Sequence, residues 1–137
     1  MKKNKVFLGG TCNDSTWREQ LVPLLTIDSF NPVVKDWTPE CQVEETKQRE
    51  TCDFCLYVIT PKMTGVYSIA EVVDDSNKRP NKTVFVILEN DDGHFFTKHQ
   101  LKSLLQTTKM VSENGGVIYV VSEGQTFDDV ANYLNNA

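Results

Sequence analysis

The chain has 137 residues, 39% hydrophobic and 24% charged, with a formal net charge of −5 at pH 7. This length suits one domain over residues 1–137, and the composition is that of a globular chain, which sets aside disordered and fibrous classes. The 14 Lys and Arg are scattered without a basic stripe, so polymeric nucleic acid is not an expected partner, and no apolar run approaches the roughly 18 residues that span a bilayer.

In chain order, Met1-Lys2-Lys3-Asn4-Lys5 leads straight into the strand-like run Val6-Phe7-Leu8 and not into a signal segment, so a cytoplasmic setting is expected. Gly9-Gly10-Thr11 follows as a turn, and Thr16 with Glu19 reads as a capping-box pair opening a helix. A weaker strand is predicted over 30–34, at a sheet edge because Pro32 lacks an N–H for the ladder. Thr38-Pro39-Glu40 opens the next helix with a capping hydroxyl, a proline at the first position and an acid near the positive end of the dipole. Leu56-Tyr57-Val58-Ile59 is a strand, and a helix is expected from about Gly65 to Asn77.

Val84-Phe85-Val86-Ile87-Leu88 is a further strand, and 89–94 reads as a solvated polar connection. Thr97 with Gln100 opens another helix, Val117-Ile118-Tyr119-Val120-Val121 is the last strand, and Thr126 with Asp129 opens the last helix. The strands are β-branched and nearly continuous in hydrophobicity, as in sheets buried on both faces. Alternating strands and helices then give an α/β fold with right-handed crossovers. The expected architecture is a doubly wound five-stranded parallel sheet, order 2-1-3-4-5, with helices on both faces. Ligands bind such sheets beyond the carboxyl ends of the strands, which directs attention to 9–15, 31–38 and 60–68.

Cys52 and Cys55 have CxxC spacing, but they run into a buried strand and no second pair supplies further ligands. All four cysteines (12, 41, 52 and 55) are read as buried thiols, and neither a metal nor a cofactor is expected. His94 and His99 are the only histidines and fall beyond the fourth strand, so there is no Ser/His/Asp set. Gly9, Gly10 and Thr11 form either a tight turn or an anion-approaching loop at a helix start. Asn31, Asp36 and Trp37 lie past the second strand, where Trp37 either stacks on a planar ligand or plugs the following helix. Ser68 and Glu71 stand one helical turn apart. Val66, Ile69, Ala70 and Val73 form the apolar stripe of that helix, so periodicity alone makes Glu71 a solvated acid. On the preceding helix Glu45 is placed to reach the cleft, whereas Arg49 and Glu50 are not.

The segments Val6-Phe7-Leu8-Gly9-Gly10, Phe30-Asn31-Pro32-Val33-Val34 with Asp36-Trp37, Cys52 through Pro61, and Gly65 through Glu71 resemble the nucleoside 2-deoxyribosyltransferase-like family, closest to its small bacterial and phage branch. The resemblance implies a flavodoxin-like fold and cleavage or transfer at the N-glycosidic bond of 2′-deoxynucleosides or their 5′-monophosphates. It implies that Glu71 is the nucleophile of a covalent deoxyribosyl intermediate, that Glu45 is the acid contacting the sugar, and that Gly9, Gly10 and Thr11 hold the sugar or its 5′ end. It also implies a homo-oligomer. Two positions depart from the family pattern. Phe7 stands where transferases carry a tyrosine, and Gly65 where they carry an acid used toward the base. A module that binds a nucleotide-derived molecule without turnover, and an interaction domain that keeps only the scaffold, are the alternative readings.

Overall fold

In the computed structural model, which describes residues 3–12 and 14–137, the strands β1 (Lys5–Gly10), β2 (Asp28–Phe30), β3 (Phe54–Ile59), β4 (Thr83–Leu88) and β7 (Val117–Val121) form one sheet. The order is β2-β1-β3-β4-β7 and every pairing is parallel. This is the expected 2-1-3-4-5 winding, since the intervening β5 (Asn90–Asp91) and β6 (His94–Phe95) pair only with each other. All six residues of β3 and of β4 are buried, the environment their unbroken apolar runs require.

Strand alternation divides the interior into two layers. Val6, Leu8, Leu56, Val58, Val84 and Val86 pack under α1 (Trp17–Leu21) and α5 (Asp128–Asn136). Phe7, Cys55, Tyr57, Ile59, Phe85 and Ile87 pack on the other face, under α3 (Tyr67–Lys78) and α4 (Lys98–Glu113). Each such fully buried large side chain stabilises the fold by roughly 2–3 kcal/mol. The helix α2 (Pro39–Thr51) lies on this second side, where its only buried residue is Arg49.

Several sequence expectations are corrected. The edge strand covers 28–30 and not 30–34: Asn31 Oδ1 accepts a hydrogen bond from the Val33 amide at 3.0 Å, turning the chain just before Pro32 would have to donate to a ladder. The Thr97–Gln100 capping box forms as read. The other two pairs do not, because Thr16 caps α1 without a side-chain bond and α5 starts two residues after Thr126, with Phe127 at its cap. The Thr38 hydroxyl meets Cys41 Sγ at 3.3 Å and leaves the α2 amides uncapped by a side chain. The segment 89–94 is a hairpin and not a plain solvated loop. Asp92 and Gly93 both have positive φ, the requirement of a tight two-residue turn, and Asp91 is buried. Its carboxylate accepts a 2.7 Å bond from Ser15, fastening the hairpin to the start of α1.

Candidate functional site

Beyond the carboxyl ends of β1 and β3 the chain opens into a cleft of about 300 Å³. Its floor is Phe7, Gly9 and Gly10, one wall is Pro32, Val33, Val34, Trp37 and Glu45, and the other is Ser68 and Glu71. The two glycines are required by strand packing as well as by the opening. A Cβ on Gly9 would stand 2.6 Å from the Tyr57 ring, and one on Gly10, whose φ is +116°, would stand 2.1 Å from the Val58 carbonyl oxygen. Thr11 holds the loops together, its amide donating to Val58 O at 2.9 Å and its Oγ1 accepting from the Thr60 amide at 3.0 Å.

Thr11 and Gly65 line an adjoining hollow of about 260 Å³ that shares Gly10, Cys12 and Ser68 with the main cleft. Asn31 and Asp36 are exposed and belong to neither wall. A Cβ on Gly65 would have open space around it. Phe7, the other departure, presents a ring stacked on Phe30 at 6.0 Å and no polar atom. Cys52 and Cys55 are buried as expected, and burial pushes the Cys55 thiol up to about 12. Cys12 is instead exposed on the cleft, and Cys41 is half-buried.

Periodicity reads α3 only in part, since Ile69 and Val73 of the expected stripe pack against the core. Val66 is 66% exposed and Ala70 lies outside the core, whereas Val72, Asp75 and Ser76 are buried and the Glu71 side chain is only 14% exposed, facing the cleft. The inward face carries acids because a cation waits for them. Arg49 does not line the cleft, as expected, but it is buried behind it, and its Nη1 lies 3.5 Å from Glu71 Oε2. Its Nη2 lies 2.9 Å from Asp75 Oδ1, and its Nε donates to Asp75 Oδ2 at 3.3 Å. Tyr57 donates its hydroxyl proton to the same Asp75 oxygen.

Burial raises the Glu71 pKa to about 7 against the lowering pull of Arg49, with the charges of Glu45, Asp75 and Asp74 adding to the rise. Burial also raises Glu45, which Arg49 opposes.

Arg18 is a wall residue that the sequence reading missed. Its Nε and Nη2 donate to Leu8 O at 3.1 and 2.9 Å and its Nη1 to Thr11 O at 2.9 Å, and desolvation lowers its pKa to about 10, which keeps it charged at neutral pH.

Fold and cleft together define a parallel α/β protein with paired glutamates over a glycine floor at the carboxyl edge of its sheet. The family described as nucleoside 2-deoxyribosyltransferase like matches residues 3–91, and the chain belongs to it. No curated protein and no solved structure matches the chain. Among the described residues no helix is long and apolar enough to cross a membrane.

Proposed function

We propose that this protein cleaves or transfers at the N-glycosidic bond of a 2′-deoxynucleoside or its 5′-monophosphate, with Glu71 as nucleophile. The observation that carries this reading is the Glu71 carboxylate facing the cleft above Gly9 and Gly10, against the outward position that helical periodicity assigns it. In its ionised form Glu71 attacks the anomeric carbon, the base leaves with the electrons of the broken C–N bond, and a deoxyribosyl ester remains. Water or a second base then attacks the same carbon and releases Glu71. Glu45 is the second carboxyl of the cleft, and its raised affinity for a proton suits it to the proton traffic of these two steps. Trp37 offers a ring for the planar base.

Chromatography for free base, after incubation with the four deoxynucleosides and their monophosphates, tests the reaction. Turnover of at least one is expected, and Glu71→Gln should lower it by roughly 10³-fold or more, as loss of a covalent nucleophile does, with the circular dichroism unchanged. A variant of undiminished rate would remove Glu71 from the mechanism. The open space at Gly65 and the apolar Phe7 wall favour a second reading, a ligand held in the same cleft without turnover. Calorimetric binding with no base released from any substrate decides for it.

Val33, Val34 and Trp37 on the cleft wall and Val43 on α2 are 45, 47, 58 and 71% exposed. Apolar surface concentrated at the mouth of a site suits contact with a second copy of the chain, and a homo-oligomer is part of this reading. The absence of any disulfide among the four cysteines fits a cytoplasmic setting.

A further inference from the structure

We propose that Arg49 is a positioning residue for this site, aiming the Glu71 carboxylate into the cleft from behind while Asp75 and Tyr57 lock its guanidinium. The inference rests on Glu71 being the reacting group. It stands on the geometry of a planar fork. Asp75 occupies the Nε–Nη2 edge of the guanidinium, its Oδ2 accepting from Nε at 3.3 Å and its Oδ1 from Nη2 at 2.9 Å. With that edge held at two points, the direction of Nη1 is fixed, and it ends 3.5 Å from Glu71 Oε2.

Asp75 is itself held. Its side chain is fully buried, Tyr57 donates to Oδ2, and Arg79 Nε stands 3.2 Å from Oδ1 without the alignment of a hydrogen bond. Asp74 takes the outer side of Nη2 at 3.1 Å. The relay therefore runs from β3 through α3 to α2 and back to α3, and it reaches Glu71 from the side opposite the substrate. None of Tyr57, Asp75 and Arg49 lines the cleft, so none is spent on a ligand.

The charged groups that act on Glu71 are Arg49 and Glu45 from α2 and Asp74 and Asp75 from α3, while Arg18 from α1 lines the same cleft. Arg49 is the only cation among them that touches it. Removing its charge leaves Glu71 beside carboxylates with no cation in contact, so the proton should bind more tightly and the nucleophile should be lost at neutral pH but recovered in alkali.

The test is the pH profile of kcat/KM for base release by wild type, Arg49→Gln and Arg49→Lys. In wild type the acidic limb should fall near the Glu71 pKa of about 7. In Arg49→Gln it should move up by about one pH unit or more, so that activity is lost at least ~10-fold more at pH 6 than at pH 9. Arg49→Lys keeps the charge but not the fork. It should keep the limb within about half a unit and lower kcat more than it raises KM. A Gln variant that loses rate equally at every pH, with its limb where wild type has it, overturns the proposal. If that variant does not fold, the Lys variant decides, and wild-type kcat/KM across the range overturns it. If wild type itself releases no base, the reading of the reaction has failed and the relay is judged separately. Infrared titration of the Glu71 carboxyl, identified by its loss in Glu71→Gln, should then move upward in Arg49→Gln, or in Arg49→Met if that variant does not fold, and stay within about half a unit in Arg49→Lys; an unmoved titration in the uncharged variant overturns it.

Discussion

Glu71 is held where water cannot fully solvate its charge, and its pKa is raised to about 7 by that burial despite Arg49. The folded chain therefore keeps a proton there that the unfolded chain releases near the ordinary value of 4.5. The associated stability is fully present below about pH 4.5 and is lost as pH rises through 7, a penalty on the order of 2–3 kcal/mol in alkali. Glu71→Gln should accordingly raise the midpoint of thermal unfolding at pH 8 and leave it nearly unchanged at pH 4. Differential scanning calorimetry at the two values checks this, and a stabilisation of equal size at both would mean that the charge of Glu71 carries no such penalty. The same carboxylate that weakens the fold is the one proposed to react.

Among the α-helices, α2 is the least anchored. Of its 13 residues only Arg49 is buried, while Val43 and its neighbours face solvent, so its attachment rests on the ion pairs to Asp74 and Asp75 and on little apolar area. Elements held this way open at the low end of a protein's range of local stabilities. Hydrogen exchange should find the amides of 41–51 exchanging at least ~10-fold faster than those in the middle of α3 and α4, and comparable protection would contradict this picture. Four of the five strands of the sheet were legible in the sequence because a buried parallel strand is a run of apolar residues, whereas the short, exposed β2 was placed too far along the chain. The inward face of α3 was not. Glu71 and Asp75 are buried through a cation 26 residues away from Asp75, and no local periodicity records a partner at that distance. The hairpin at 90–95 was missed although Asp92-Gly93 is a strong turn pair, because its strands are only two residues long.

For the molecule as a whole, the winding order placed the cleft correctly, since a parallel sheet brings the loops after β1 and β3 to one edge. Gly9, Gly10, Trp37, Glu45, Ser68 and Glu71 meet there, whereas Asn31 and Asp36 turn away because the edge strand ends at Phe30. Arg18 needed the fold to be seen, since its partners are carbonyl groups that a sequence does not display. The exposed apolar mouth predicts self-association. Analytical ultracentrifugation should find a dimer or larger assembly, and Trp37→Ser with Val43→Ser should shift it toward the monomer; a monomeric wild type at high micromolar concentration would refute it.

Every wall of the cleft is built from residues between Phe7 and Glu71, and the family match ends at residue 91. The elements α4, β7 and α5 all lie beyond that point in the chain: β7 completes the sheet, α5 covers one layer through Val130, Ala131 and Leu134, and α4 covers the other through Leu104 and Val111. On the proposed function, ligand recognition falls to the first half of the polypeptide, while the last third contributes to the scaffold. Drift in the last third would then be felt mainly as altered tolerance to heat, and drift around the cleft as an altered choice of ligand.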